Sequence, residues 1–243
     1  MGSNNSSPTE AFVLAAGLGT RMRPITDKIP KPLVKVNGKA MLDYALDALA
    51  STGISKIVIN VHHLAGQIEA HLQTRQKPKI IISDERAKLL DSGGGVAHGM
   101  HHFTQDELFI LNADSFWVEG TNVNLDHMKF QWDPAKMDIL LLVAPMNIAV
   151  GFEGAGDFFM DSENRLQRRG DAKAAPFVYA GAILMRRNLF EAIEDEIFSL
   201  NRLFDTALEN DRLYGLRLDG LWLHVGTPGA IAEAEAAILR HTV

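Results

Sequence analysis

Two different spacings of apolar residues alternate along the first half of the chain. Short apolar runs with the length of β-strands lie at residues 12–15, 56–60, 79–83 and 108–112. Between the first two runs, apolar residues from Leu42 to Ala50 recur every three or four positions, which predicts a helix that ends near Gly53. Shorter helices are predicted at 65–73 and 96–103. Strands that alternate with helices indicate a mostly parallel sheet with helices on both faces.

The pattern changes after residue 143. Residues 157–161 and 165–168 flank the turn Ser162-Glu163-Asn164 and predict an antiparallel hairpin, which we expect to lie over the sheet as a lid. Further strands are predicted at 137–143, 177–185, 213–218 and 221–225, and helices at 189–197, 202–209 and 228–240. The expected fold class is α/β, a Rossmann-like three-layer αβα sandwich with a mixed, mostly parallel central sheet and a small antiparallel lid.

Composition favours one soluble domain. The 243 residues are 47% hydrophobic, enough for one sizeable core, and the small or polar residues 1–9 predict a tail outside a single domain at 10–243. No apolar run reaches the roughly 18 to 20 residues of a membrane span, so we expect no membrane span and no membrane partner. We expect a cytoplasmic location, which the lack of cysteine permits. The absence of cysteine excludes thiolate chemistry, and a net charge of −6 argues against nucleic acid binding.

A glycine-rich loop follows the first predicted strand. Residues 14–24 read LAAGLGTRMRP, and residues 30–33 read PKPL. Glycines let backbone N–H groups approach phosphate oxygens, and fixed cations such as Arg21 and Lys31 balance the phosphate charge, although the two glycines alone would equally fit an ordinary turn. Met22 stands where a dinucleotide-binding motif needs glycine, and the Gly-Lys-Ser/Thr ending of a P-loop is missing. An NAD-dependent oxidoreductase is therefore disfavoured.

Together with Gly38-Lys39-Ala40-Met41, these segments resemble the signature of the sugar-1-phosphate nucleotidyltransferases. The resemblance implies the fold of the nucleotide-diphospho-sugar transferases, with a nucleotide-binding half at about 10–115 and an acceptor half at about 116–243. It also implies that a nucleoside monophosphate passes from a nucleoside triphosphate to a sugar 1-phosphate, with release of pyrophosphate. Mg²⁺ is the implied cofactor, and Mn²⁺ is the alternative.

Three residues are expected to be catalytic by the same resemblance. Arg21 matches the arginine that binds the departing β- and γ-phosphates, and Lys31 matches the lysine that contacts the α-phosphate and the sugar phosphate. Asp114 ends an apolar strand, where open α/β sheets bind ligands, and it matches the family's metal-binding aspartate. A cap on the next turn is the alternative role for Asp114. A sugar phosphate is already an anionic nucleophile, so no general base is expected.

The position of the second metal ligand departs from the family pattern. Many relatives have Val-Asp-Val-Gly-Thr in their last segment, whereas residues 223–227 of this chain read LHVGT. Imidazole suits Mg²⁺ poorly and suits softer metals better. His224 therefore either binds a metal such as Mn²⁺ or contacts the substrate phosphate, or else one carboxylate suffices.

The remaining contacts are expected from their positions in the resemblance. The expected nucleotide contacts are Ala15, Ala16, Gly17, Gly19, Thr20, Arg21, Glu85, Gly93, Gly94 and Asn112. The expected sugar-phosphate contacts are Lys31, Asn147, Asp157, Gly181 and His224. The short chain, its Gly-Gly-Gly and Gly-Asp-Phe elements and the lack of a left-handed β-helix resemble the N-acetylmuramate 1-phosphate uridylyltransferases of cell-wall recycling, which implies UTP as the donor.

Two other functions stay open. A mannose-1-phosphate guanylyltransferase would use GTP, and the segment Ser83-Asp84-Glu85 leaves the base undecided. A non-catalytic relative that binds nucleotide sugars as a regulatory subunit is suggested by His224 in place of an acid, whereas the intact catalytic residues speak against it. We expect a monomer or a homodimer.

Overall fold

The computed structural model describes residues 7–191, 193 and 196–241. Its strands are β1 (Glu10–Leu14), β2 (Lys35–Val36), β3 (Lys39–Ala40), β4 (Lys56–Val61), β5 (Lys79–Asp84), β6 (Glu107–Asn112), β7 (Ser115–Glu119), β8 (Ile139–Pro145), β9 (Ala149–Val150), β10 (Phe158–Met160), β11 (Leu166–Arg168), β12 (Phe177–Arg186), β13 (Leu213–Arg217) and β14 (Gly220–His224). The α-helices are α1 (Met41–Ser51), α2 (Ala65–Leu72), α3 (Asp91–Gly99), α4 (Asn124–Gln131), α5 (Asn201–Glu209) and α6 (Pro228–His241).

The central sheet is mixed and mostly parallel, as predicted. Its strands lie in the order β5-β4-β1-β6-β12-β8-β13, and β4, β5 and β6 all run parallel to β1. Strand β12 is antiparallel to β6 and β8, and β13 is parallel to β8. The strands are almost wholly apolar because helices cover both faces.

Each face of the sheet has its own apolar core. One core joins the sheet to α1, α2 and α4, with Leu46 and Ile68 among its fully buried side chains. The opposite core joins it to α3 and α5 through Val96 and Phe204. The three-layer αβα sandwich is therefore confirmed. Within the described ranges, no helix is long and apolar enough to cross a membrane.

A second, smaller sheet was not predicted. It has the order β7-β14-β9, and α6 packs on it around Phe116 and Leu223. Strand β7 mixes polar and apolar residues, and α4 has only a weakly amphipathic sequence, so neither had a clear periodic signal. This sheet places His224 near the carboxyl end of β6, where the Val225 N–H donates to the Asp114 carbonyl at 3.3 Å.

The predicted hairpin forms, but it extends the central sheet. Strands β10 and β11 pair with each other, and β10 also pairs with β12 where Phe158 lies opposite Phe177. The hairpin is thus an extra edge of the main sheet and does not lie over it as a free lid.

Two predicted helices differ from the structure. The helix predicted at 96–103 is α3, which begins at Asp91 and takes in all three consecutive glycines. The helix predicted at 189–197 is replaced, where it is described, by a 3₁₀ turn at Arg187–Phe190, and residues 192, 194 and 195 lie outside the described residues. Glycine has low helix propensity, yet here tight packing outweighs it, because a Cβ at Gly93 would overlap the Phe198 ring.

A buried carboxylate anchors the start of β1. Glu10 is 5% exposed, and its oxygens accept hydrogen bonds from the Thr104 backbone N–H (2.9 Å) and hydroxyl (2.8 Å). Lys56 Nζ lies 2.6 Å from Glu10 Oε1. Burial by itself would raise the pKa of Glu10, but the Lys56 ammonium and the Thr104 donors outweigh it and hold that pKa below its usual value.

This anchor predicts a pH-dependent contribution to stability. A carboxyl group with a lowered folded-state pKa stabilises the fold above its unfolded pKa of about 4.3 and loses that contribution as pH falls through the folded value. We expect Glu10→Gln to lower the free energy of unfolding by about 2 kcal/mol at pH 7, and by much less near pH 3. Urea unfolding of both proteins at each pH measures the difference. Glu209→Gln, at an exposed position of α5, is the control, and an equal loss at both pH values would contradict the assignment.

Candidate active site

The candidate site lies where the carboxyl ends of parallel strands meet. Strand β1 pairs with β4 and β6 so that Val13 lies opposite Ile59 and Leu14 lies opposite Asn112. Residues 15–24 follow β1, Asp114 follows β6, and Asn60 lies one residue before the end of β4. Crevices at the carboxyl ends of parallel strands are the usual ligand sites of open α/β sheets.

Lys31 and Asp114 form the centre of the site. Lys31 Nζ lies 2.8 Å from Asp114 Oδ2, which joins the loop after β1 to the end of β6. Lys31 is only 8% exposed, whereas about a third of the Asp114 side chain is open to solvent. Burial pushes the pKa of Asp114 up, but the Lys31 ammonium, assisted by His224 and Arg21, holds it below the usual value. Asp114 is therefore an ionised carboxylate with one face available to a ligand.

Arg21 and His224 border this ion pair. A Cβ built on Gly226 would lie 2.8 Å from His224 Nε2 and 3.6 Å from Arg21 Nη1, so both side chains flank this glycine. Burial, together with Lys31 and Arg21, lowers the pKa of His224 despite the opposing Asp114 carboxylate. His224 is accordingly a neutral imidazole at pH 7 and can offer a lone pair or a donor.

The donor set suits a metal held mainly by its substrate. Over the described ranges, no group of three or more His, Cys, Asp or Glu side chains could hold an ion. The protein offers the Asp114 carboxylate and the His224 imidazole. Mg²⁺ commonly takes one or two carboxylates and completes its octahedron with phosphate oxygens and water. Asp114 fits that pattern, and His224 is a weaker match for Mg²⁺.

Gly19 allows the loop to approach Lys31. Its φ is +62°, and a Cβ there would lie 2.9 Å from both Lys31 Cβ and Thr26 Cγ2. The Thr26 hydroxyl donates to the Gly19 carbonyl at 2.8 Å. Gly17 has no such constraint, because nothing lies within 4 Å of its would-be Cβ.

A cleft of about 490 Å³ opens beside the loop. Its lining residues are Leu14, Ala16, Gly17, Asn60, Glu85, Leu89, Asp91, Ser92, Asn112, Asp114 and Ile197. Five of the predicted site residues are among them, namely Ala16, Gly17, Glu85, Asn112 and Asp114. Thr20 and Arg21 are exposed farther along the loop. The size and mixed polarity of this cleft suit a nucleoside.

Gly93 and Gly94 do not line this cleft. Both of their backbone N–H groups donate to the Phe198 carbonyl, at 2.9 and 3.0 Å. Asp91 and Ser92, which precede them in α3, line the cleft instead. The two glycines serve close packing here, and a direct nucleotide contact stays a prediction.

Asn60 was missed by sequence reasoning. It is buried at 2% exposure, its Oδ1 accepts the Ala15 N–H at 2.7 Å, and its Nδ2 donates to Glu85 Oε1 at 2.7 Å. A signal was available, because Asn60 is the first polar residue towards the end of the apolar strand β4. The same rule had identified Asp114.

A second cleft, of about 300 Å³, adjoins the first. The two clefts share Leu14, Ser92 and Asn112, and the second is also lined by Asp157, Phe158, Arg168, Tyr179, Leu200, Asn201 and Phe204. Asp157 Oδ2 accepts the Tyr179 N–H at 2.9 Å, which fixes the hairpin against β12. Tyr179 Oη is buried and has no hydrogen-bond partner within the described part of the chain.

Two predicted sugar contacts lie elsewhere. Asn147 is exposed in the 3₁₀ turn Met146–Ile148 and lines neither cleft. Gly181 has φ +89° at a bulge in β12, and a Cβ there would overlap Ser115 Oγ. Gly181 thus allows close packing behind Asn112. Contacts of Asn147 and Gly181 with a sugar stay predictions.

Similarity to known proteins identifies the family to which this chain belongs. The family described as nucleotidyl transferase matches residues 10–147, which is more than half of the chain. The chain belongs to this family. It is 38% identical to an N-acetylmuramate alpha-1-phosphate uridylyltransferase of Caulobacter vibrioides, over 96% of this chain and 98% of that protein. A protein of the same name from Neisseria meningitidis is 29% identical, over 93% and 97%.

Solved structures show the same fold. The inositol-1-phosphate CTP transferase of T. maritima superposes with a TM-score of 0.78 at 17% identity, over 96% of this chain and 97% of that one. The family transfers a nucleoside monophosphate from a nucleoside triphosphate to a sugar 1-phosphate. The predicted family, fold class and enzyme class are therefore confirmed.

The loop geometry predicts that two neighbouring glycines respond differently to the same substitution. Gly19→Ala forces a left-handed backbone and a clash with Lys31 Cβ, so we expect it to lower the free energy of unfolding by about 1 to 3 kcal/mol. Gly17→Ala, the matched control, has free space and should change stability by less than about 0.5 kcal/mol. Chemical unfolding followed by circular dichroism measures both. Equal effects of the two variants would contradict this account of the loop.

Proposed function

We propose that this nucleotidyl transferase joins UMP, taken from UTP, to N-acetylmuramate 1-phosphate with release of pyrophosphate. The observation that carries the proposal is the Lys31–Asp114 pair, whose carboxylate lines the larger cleft and lies close enough to Arg21 and His224 for both to affect its pKa. The similarity along nearly the whole chain to two N-acetylmuramate alpha-1-phosphate uridylyltransferases supports this substrate pair.

The nucleoside would occupy the larger cleft. Its base and ribose would lie among Asn60, Glu85, Leu89 and Ser92, and the triphosphate would extend along the loop towards Arg21. Apart from Ile197, every lining residue of this cleft belongs to residues 10–115. This supports a division of the domain into a nucleotide half and an acceptor half.

The chemistry requires charge neutralisation and alignment. An oxygen of the sugar phosphate attacks the α-phosphorus, the bond from that phosphorus to the bridging oxygen breaks, and pyrophosphate leaves with the bonding electrons. No proton has to move, because the nucleophile is an anion. Lys31 would bind the α-phosphate and the sugar phosphate, and Arg21 the departing pyrophosphate, since fixed cations stabilise the charge that develops in such transfers.

Asp114 would hold a divalent cation together with the phosphates, with Mg²⁺ as the first choice and Mn²⁺ as the second. Such an ion, when bound, polarises the phosphoryl oxygens and neutralises their charge. The neutral His224 would serve either as a second ligand or as a donor to the sugar phosphate.

The acceptor sugar would occupy the smaller cleft. Arg168 lines it and is held in place by Asp205 Oδ1 at 2.8 Å and Asn201 Oδ1 at 2.9 Å. N-acetylmuramate carries a carboxylate on its lactyl ether, which mannose and N-acetylglucosamine lack. A positioned guanidinium in this cleft supports an acidic acceptor, because Arg recognises carboxylates through charge-assisted hydrogen bonds.

The setting follows from the substrates. A uridylyltransferase for N-acetylmuramate 1-phosphate would act in the cytoplasm, where UTP is present, and in recycling of cell-wall peptidoglycan. A monomer or a homodimer would suffice, because each catalytic side chain comes from one chain.

The decisive experiment is pyrophosphate release with Mg²⁺ or Mn²⁺. UTP, GTP, dTTP and CTP are tested against the 1-phosphates of N-acetylmuramate, mannose, glucose and N-acetylglucosamine. We expect turnover with UTP and N-acetylmuramate 1-phosphate, and a loss of at least about 100-fold in kcat for Lys31→Ala, because the transferred phosphate loses its cation.

Two other outcomes have clear meanings. Turnover with GTP and mannose 1-phosphate would replace the proposed pair by a guanylyltransferase. Binding of nucleotide sugars without any turnover would indicate a regulatory relative and would overturn the proposal.

Arg168 gives a separate test of the acceptor. We expect Arg168→Gln to lower kcat/KM for N-acetylmuramate 1-phosphate by about 10- to 100-fold, the value of a charged hydrogen bond, and to leave N-acetylglucosamine 1-phosphate nearly unchanged. Arg165→Gln on the same hairpin is the matched control, since Arg165 pairs with Asp161 and does not line the cleft. Equal losses for both sugars would show that Arg168 only supports the hairpin.

A further inference from the structure

A buried carboxylate at the nucleotide cleft has no ion-pair partner in the described part of the chain. Glu85 is 2% exposed, and none of the ion pairs within the described ranges involves it. Burying an ionised carboxylate is costly unless hydrogen bonds satisfy its oxygens. Glu85 Oε1 accepts from Asn60 Nδ2 at 2.7 Å, and Oε2 accepts from the Leu90 N–H at 3.2 Å. These two hydrogen bonds offset part of the desolvation cost of burying Glu85.

Glu85 determines which way the Asn60 carboxamide points. Glu85 Oε1 accepts a hydrogen bond from the Asn60 carboxamide, so the amide nitrogen of Asn60 faces Glu85. The amide oxygen is then directed to the opposite side, where it accepts the Ala15 N–H at 2.7 Å. Ala15 is the residue at which the chain leaves β1 and enters the phosphate loop. The hydrogen bond from Ala15 to Asn60 therefore fixes the position of the first residue of the loop.

The surroundings are shaped for this pair. A Cβ at Gly95 would lie 2.5 Å from Glu85 Oε1 and 2.7 Å from Asn60 Nδ2, so the third glycine of the triplet makes room for it. The Glu85 N–H donates to the Val61 carbonyl at 2.9 Å, and His62 Nδ1 lies 2.7 Å from the Glu85 carbonyl, where it can donate. Strand β4 thus binds Glu85 twice, through the Val61 carbonyl and through the Asn60 side chain.

We propose that Asn60 and Glu85 are positioning residues of the transfer reaction, which hold the loop from Ala15 to Arg21 in register with Lys31 and Asp114. Glu85 acts through Asn60, because its Oε1 accepts from Asn60 Nδ2 and its Oε2 accepts from the Leu90 N–H. This inference uses the proposed reaction only as a readout, and it holds for whichever nucleoside triphosphate the protein takes.

A reciprocal exchange of the two side chains tests the pairing. Asn60→Asp keeps an acceptor for the Ala15 N–H but places two carboxylates against each other, so we expect kcat/KM to fall by about 10- to 100-fold. The double variant Asn60→Asp, Glu85→Gln restores one donor and one acceptor with unchanged shape and charge. We expect it to recover to within about threefold of the wild type, which a merely structural role for either residue alone would not produce.

Further readouts separate the possible failures. Thermal unfolding confirms that each variant is folded, and nucleotide-induced stabilisation without acceptor measures binding of UTP, GTP, dTTP and CTP separately. A double variant no better than Asn60→Asp would overturn the proposal. So would a change in preference among the four nucleotides for Glu85→Gln, because it would make Glu85 a base-reading residue.

The experiment can contradict the proposed function without contradicting the positioning role of Asn60 and Glu85. Wild-type protein that binds a nucleotide but turns over no acceptor would contradict that function, while the recovery of nucleotide binding in the double variant would still support the positioning pair. Wild-type protein that binds none of the four nucleotides would contradict both.

Discussion

The site depends on one ion pair, between Lys31 and Asp114 at 2.8 Å. It joins the loop that follows β1 to the end of β6, and Gly19, with its left-handed backbone, allows that loop to pass close to the Lys31 side chain. The pair places Nζ of a largely buried lysine against an ionised carboxylate. In the proposed reaction a phosphate would bind the lysine and a cation would bind the carboxylate, and both charges are already in position.

The charged groups around this pair suit an anionic ligand. Arg21 and Lys31 are fixed cations, His224 is neutral, and Asp114 is the acid that approaches them. Two cations thus lie close to Asp114, although the whole chain carries −6. A polyphosphate needs local cations rather than a basic protein, which reconciles the acidic composition with an anionic ligand.

The central sheet fixes the positions of side chains that line both clefts. Strand ends supply Leu14 and Asn112 to both clefts, and the hairpin is bonded to β12 through Asp157. Because the hairpin continues the sheet, Arg168 is presented from a strand held by α5 and not from a mobile flap. Positions fixed in this way favour the alignment of two phosphates, which is what nucleotidyl transfer requires.

The sequence by itself determined the alternation of strands and helices and identified the glycine-rich loop and the candidate residues Arg21, Lys31 and Asp114, because periodicity and motifs are local properties. It could not reveal that Asn60 meets Glu85 and Ala15, which lie 25 and 45 residues away, or that the triple glycine packs against Phe198 more than 100 residues later. It also missed β7 and α4, whose stability comes from the surfaces they cover. Those features were decided by the tertiary structure, since hydrogen bonds and close packing between distant segments override local propensity.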